Sequence, residues 1–131
     1  MKRRAALLLL IFSPIALSAL ATGAWLRRVP EEDHHRHDPF LGNGAAIAQG
    51  KQLFQHNCTP CHGFDAMGRF GRPSLRSLRI RHATDGDLAW MLQHGNPYKG
   101  MPPWSSLAEE QRWQIIAYLR TLPPIGRPMP H

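Results

Sequence analysis

The sequence predicts an all-α fold built on three main helices. Three observations predict it. Apolar residues recur at steps of three and four in three segments, near 45–57, 84–94 and 106–122. No segment longer than a few residues alternates apolar and polar side chains, as a half-buried strand would. Twelve prolines and eleven glycines separate the periodic segments, so the helices are short and the loops long. At 131 residues the chain holds one domain. Its 43% hydrophobic content excludes general disorder, and its single long apolar run excludes a polytopic membrane protein. Two cysteines make one bridge at most, which excludes a disulfide scaffold. A chain this short and loop-rich needs something beyond its side chains to fill its core.

Residues 1–26 read as a signal peptide or a membrane anchor. Lys2, Arg3 and Arg4 precede an uncharged stretch from Ala5 to Leu26, the charge order of an export segment. As a helix, its 22 residues reach about 33 Å, enough to span a bilayer. Two readings stand open. In one, the small residues Ala19-Leu20-Ala21 mark cleavage near Ala21. In the other the helix is retained, with Trp25 at the interface and Arg27-Arg28 just outside. Residues 27–44 are charged and aperiodic, with Pro30, Pro39, Gly42 and Gly44, and read as a flexible tether. A soluble exported domain has little need of such a lead, which favours the anchor. Either way the globular part, 45–122, sits outside the cytoplasm: on the periplasmic side of the membrane if anchored, soluble in the periplasm if cleaved.

Within the tether, His34, His35 and His37 lie between Asp33 and Asp38. These are metal-ligating residue types, and a solvated run is the preferred reading of them.

The first main helix is predicted over Ala45–Asn57, with Ile47, Gly50, Phe54 and Cys58 on one face. A helix-interior glycine costs about 1 kcal/mol against alanine, so Gly50 predicts a close approach by another element. From Gly63 to Ala83 no period is visible, and Gly63, Gly68, Gly71 and Pro73 mark a long loop. Thr84-x-x-Asp87 resembles a capping box and opens the second helix, which Gly95 ends. Leu88, Met91 and Leu92 form its inner face. Asn96–Trp104 is a loop stiffened by Pro97, Pro102 and Pro103. Ser106-x-x-Glu109 reads as the capping box of the third helix. Ile115, Tyr118, Leu119 and Leu122 are its apolar stripe, and Pro123-Pro124 stop it. Residues 123–131 form a Pro-rich tail, predicted to be extended.

Chemistry enters with Cys58-Thr59-Pro60-Cys61-His62, directly after the first helix. C-x-x-C-H is a haem c attachment pattern. Sulfurs three residues apart lie about one helical turn apart, so each can form a thioether with one vinyl on a porphyrin edge. The following His62 is then placed to give its imidazole to the iron. A disulfide or a thiol–disulfide redox pair are the competing readings, and the βαβ setting that the second needs is absent. One covalent haem would also supply the missing core.

The stretch Ala45–Leu122 resembles a class I, monohaem c-type cytochrome. Gly50 and Phe54 stand before Cys58 as that family's first-helix glycine and aromatic do. Tyr118 and Leu119 match the aromatic–apolar pair of its last helix. Gly71-Arg72-Pro73-Ser74-Leu75 resembles its Gly-Pro-x-Leu loop, with Arg72 inserted. The resemblance implies that the two end helices cross through the small and aromatic residues. It also implies that Pro73 C=O accepts the His62 Nδ1–H bond. Gly100-Met101-Pro102-Pro103 resembles the family's methionine ligand loop. A thioether is also, in its own right, a soft ligand that suits haem iron and raises its potential. Met101 is therefore the expected sixth ligand. His82 and His94 are the alternatives, and ordinary polar surface is the preferred reading of both.

The expected function is a one-electron carrier, not an enzyme by itself, serving a respiratory or dehydrogenase-linked chain or a membrane oxidoreductase complex. The alternative is a haem-based ligand-binding or sensor module with a labile sixth site. Arg69, Arg72, Arg76, Arg79 and Arg81 fall in thirteen residues that contain no acid. One can pair with a haem propionate, and the rest can steer a redox donor or acceptor with an acidic docking face. Trp104 can reach a propionate or pack over the haem. Nucleic-acid binding is not expected, because stacking aromatics do not interleave the charge.

Overall fold

The computed structural model describes residues 25–129. Six α-helices and two 3-10 turns make up the described residues, and their only bridge pairs Asn96 with Met101. The helices are α1 (Glu31–His34), α2 (Gly44–Asn57), α3 (Thr59–His62), α4 (Leu78–His82), α5 (Asp85–His94) and α6 (Glu109–Thr121). The main three, α2, α5 and α6, are those that the apolar periodicity predicts. No described helix is long and apolar enough to cross a membrane. The expected leader lies outside the described residues up to position 24.

Asn43 caps α2, its side chain accepting from Ala46 N at 3.1 Å. The helix then packs across α6, the most extensive helix–helix contact of the described fold. Gly50 makes that crossing possible. A Cβ there would stand 1.8 Å from the Gln114 carbonyl oxygen, so α6 rests directly on the α2 backbone. Four residues on, the Phe54 and Tyr118 rings meet at 5.4 Å between centroids.

α6 is buried on two sides. With α5 it encloses Leu88, Ala89, Leu92, Trp113, Ile115 and Ile116. With α2 it encloses Phe54, Cys58, Ala66, Tyr118 and Leu122. Each such aliphatic or aromatic side chain contributes about 1.5–3 kcal/mol by leaving water. The second cluster ends on a motif cysteine, so this packing also positions the site.

α5 opens as Thr84-x-x-Asp87 predicts. Thr84 Oγ1 accepts from Asp87 N at 3.1 Å, and Asp87 Oδ2 accepts from Thr84 N at 2.8 Å. The third helix departs from expectation. Ser106 lies in a turn, and α6 begins at Glu109 with Ala108 as its cap residue. Gln111 Oε1 accepts from Ala108 N at 3.0 Å. Glu109 is drawn away, pairing with Arg36 and accepting from Trp113 Nε1 at 3.2 Å. The aperiodic loop also holds a helix that the sequence did not reveal, α4.

Two segments expected to be loose are held in place. Residues 33–40 of the 27–44 tether form a strap across α5 and α6. His34 Nδ1 donates to Asp87 Oδ1 at 2.7 Å, and Thr84 Oγ1 donates to His34 O at 2.8 Å. A Cβ on Gly86 would lie 1.7 Å from Asp33 O, so the strap backbone touches α5. Arg36 pairs with Glu109, and Phe40 packs on the α5–α6 core. The tail is a turn rather than an extended run, with Arg127 N bonded to Pro124 O at 3.2 Å. Arg76, only 5% exposed, holds it by donating to Pro123 O (2.7 Å), Pro124 O (3.0 Å) and Arg127 O. Arg76 is therefore no part of a basic face.

Candidate haem centre

Cys58 joins α2 to α3. Its N–H bonds Phe54 O at 2.8 Å, and its carbonyl accepts from His62 N at 2.8 Å. Cys58, Cys61 and His62 thus share one tight turn. Both cysteines are free, Cys58 buried and Cys61 exposed. Burial, aided by the Cys61 charge, pushes the Cys58 thiol up to about 12. A thiol so hard to ionise is a poor attacker in disulfide exchange, which counts against the redox-pair reading.

His62 Nδ1 donates to Pro73 O at 3.1 Å. Burial lowers the His62 pKa, the Pro73 bond opposes that, and the Arg72 charge lowers it further. The imidazole is neutral at pH 7, with its Nδ1 proton engaged and its Nε2 lone pair available. The acceptor loop is stapled to α3. Gly68 N bonds His62 O at 2.8 Å, Arg69 N bonds Cys61 O at 3.0 Å, and Leu75 N bonds Ala66 O at 2.8 Å.

Met101 lies on the loop between α5 and α6. Met101 N bonds Asn96 O at 3.0 Å, and Asn96 N bonds Met101 O at 2.8 Å. Past the prolines, Trp104 N bonds Leu92 O at 2.7 Å. The methionine is therefore fixed at both ends of its loop. Met101 and Trp104 are both half-buried against the α5–α6 core. The other candidates stand apart. His94 Nδ1 donates to Trp90 O at 2.9 Å and its ring stacks on Trp90. His82 is exposed. Met67, the methionine nearest the motif in sequence, is exposed, with the Ser74 hydroxyl 3.7 Å from its sulfur. Among the described residues no three His, Cys, Asp or Glu side chains gather as a metal site. Two histidines of the run bond carboxylates instead, His34 with Asp87 at 2.7 Å and His35 with Glu31 at 2.8 Å.

The donor set fits a haem c. Two free thiols one turn apart, a neutral imidazole oriented by a carbonyl, and a thioether on a braced loop are the ligand types that group takes. The sequence did not separate Arg72, which reaches the Lys99 carbonyl, from Arg76, which is buried against the tail. Five arginines in one loop look alike until the fold separates them.

Fold and chemistry together define an all-α c-type cytochrome domain, a class that carries covalently attached haem c. The chain belongs to the family described as cytochrome c oxidase, cbb3-type, subunit III, whose model matches residues 45–119. It is 34% identical over 100 residues to the cbb3-type cytochrome c oxidase subunit FixP of Rhizobium etli, covering 73% of this chain and 31% of that one. Over 61 residues it is 36% identical to subunit CcoP of Rubrivivax gelatinosus, covering 47% of this chain and 20% of that one. Among solved structures it is similar to cytochrome CL from Methylophaga aminisulfidivorans, with a TM-score of 0.58 and 26% identity, covering 66% of this chain and 59% of that one. The chain spans at most about a third of the length of these oxidase subunits.

Proposed function

We propose that Cys58 and Cys61 anchor the haem by two thioethers, that His62 and Met101 are its axial ligands, and that Pro73 fixes the His62 ring. The domain then passes electrons outside the cytoplasm to or from a membrane oxidoreductase complex, without catalysing a reaction itself. The bound haem supplies an iron that cycles between Fe(III) and Fe(II). The protein's part is to hold both ligands still through that cycle. The 3.1 Å bond from His62 Nδ1 to Pro73 O carries this reading, because it leaves Nε2 as the lone-pair nitrogen beside two thioether-forming cysteines. The membrane-bound setting rests on the apolar stretch Ala5–Leu26 and on the oxidase subunits that the chain resembles.

Partner docking is supported by the loop after the motif. Phe64 is 71% exposed and Phe70 89% exposed. Phe70 is also held at φ +51, a left-handed conformation that costs a side chain roughly 1–2 kcal/mol. Such strain on an exposed aromatic points to a functional constraint. Arg69 stands over its ring, the guanidinium carbon 5.6 Å from the centroid, and Arg72, bonded to the carbonyl of exposed Lys99, is itself exposed two residues on. An apolar centre with a cationic rim suits a redox protein with an acidic face.

The test is Met101→Ala in the haem-loaded protein. Loss of the weak Fe(III)–thioether absorption band and a lower potential are expected. An unchanged spectrum would refute Met101. Rapid, complete carbon monoxide binding by the reduced wild type at neutral pH would favour a ligand-binding module instead. An intact mass without added haem would remove the cytochrome reading altogether.

A further inference from the structure

We propose that Arg72 is a positioning residue that ties the loop holding His62 to the loop holding Met101, and so keeps the thioether on the iron. The proposal rests on the axial pair assigned above. Arg72 directly precedes Pro73, whose carbonyl accepts from His62. Its main chain is packed into that proximal loop. Arg72 N bonds Arg69 O at 2.9 Å, and a Cβ on Gly68 would stand 2.2 Å from Arg72 O.

Its side chain leaves the loop. Nη1 donates to the carbonyl of Lys99, in the 3-10 turn Pro97–Lys99. Both Nη atoms would stand 3.1 Å from a Cβ on Gly100. Lys99 and Gly100 immediately precede Met101. One side chain thus runs from the residue beside the His62 acceptor to the residues beside the distal sulfur.

The chemistry favours this link. A guanidinium is permanently charged and offers five donors in a rigid fork. Among the described residues Arg72 makes no ion pair with a protein carboxylate. The Lys99 carbonyl ends a helical turn, where acceptors lack an intrahelical partner. A thioether is a weak ligand to ferric iron, so occupancy of the sixth position depends on how often its loop opens. A hydrogen bond that exists only in the closed loop shifts that balance toward closure.

The experiment uses the isolated haem-loaded protein, which removes any effect of partner docking. Carbon monoxide association is measured on the ferrous form, and the Fe(III)–thioether band is followed as pH rises. Arg72→Ala is expected to speed association roughly two- to tenfold, the weight of one net hydrogen bond. The band is expected to disappear at lower pH than in the wild type. Arg72→Lys, which keeps charge and reach, restores part of both. If alanine prevents haem loading, Arg72→Gln carries the same comparison. An Arg72→Ala protein with the wild-type association rate and wild-type band would overturn the proposal. Met101→Ala separates the two levels. If it abolishes the band while Arg72→Ala changes nothing, only the link is wrong. If it leaves the band intact, the axial pair is wrong and the link falls with it.

Discussion

At the scale of single residues, Gly50 shows how one missing atom fixes a helix crossing. A methyl group there would lie 1.8 Å from Gln114 O, which is backbone and cannot swing aside. Alanine gains about 1 kcal/mol of helix propensity. Against that, forcing well-packed elements apart costs about 1–3 kcal/mol, and more where the clash is with backbone. The clash outweighs the propensity gain. Gly50→Ala should therefore lower the Tm of the haem-loaded protein by about 4 °C or more, at roughly 4–8 °C per kcal/mol for a domain of this size. A Tm at or above the wild-type value would show that α2 and α6 do not cross as closely as described. The consequence reaches the site, because the same crossing seats Phe54 and Tyr118 against Cys58.

At the scale of elements, the strap over residues 33–40 carries a titrating contact. His34 accepts a proton more readily in the folded protein, first through its bond to Asp87 and then through the Asp87 charge, with Glu31 adding to both. The His35 ring is its other titratable neighbour, 5.4 Å away. A raised histidine pKa contributes stability in full below about pH 6.5, and that stability is lost as pH rises through the folded value. Asp38, shifted upward chiefly by burial, acts in the same direction at lower pH. Across pH 6 to 8 the Tm of the wild type should fall more steeply than that of His34→Gln. Parallel curves would mean that the strap is not latched through His34. This element was illegible in the sequence for a physical reason. Its ties are single polar contacts to partners 53 and 73 positions away, and such contacts leave no period behind. Local devices were legible. The Thr84–Asp87 box and the Cys58–His62 turn each close within a few residues, so spacing alone reveals them. Ser106 misled because Glu109 bonds Arg36 and Trp113 rather than the Ser106 backbone, and the helix starts at Glu109 itself. The approach of Arg72 to Lys99 spans 27 positions and carried no signal either.

At the scale of the whole molecule, the formal charge of +7 is unevenly spread. Three of its cations, Lys2, Arg3 and Arg4, precede the apolar stretch Ala5–Leu26, and Arg76 is buried under the tail. What remains near the motif includes exposed Arg69, which stands over the exposed Phe70 ring, and exposed Arg72 and Lys99, which are bonded to each other. Aligned charges of this kind steer encounter, and steering weakens as the screening length shrinks to about 10 Å at 0.1 M salt. Electron exchange with a redox protein that presents an acidic face should therefore slow as salt rises. Arg69→Glu should lower the association rate on the order of tenfold at low salt and flatten its salt dependence. Phe70→Ser should act differently, because an apolar anchor contributes to the lifetime of the complex rather than to long-range attraction. Dissociation should quicken with the salt slope unchanged. Reduction by a small neutral reductant serves as the reference, since it needs no docking and should be alike in all three proteins. A wild-type rate indifferent to salt, or an Arg69→Glu effect equally large with the neutral reductant, would remove the acidic partner. The loop that holds His62 through Pro73 would then be a scaffold for the iron alone, and the exposure of Phe70 would need another occupant.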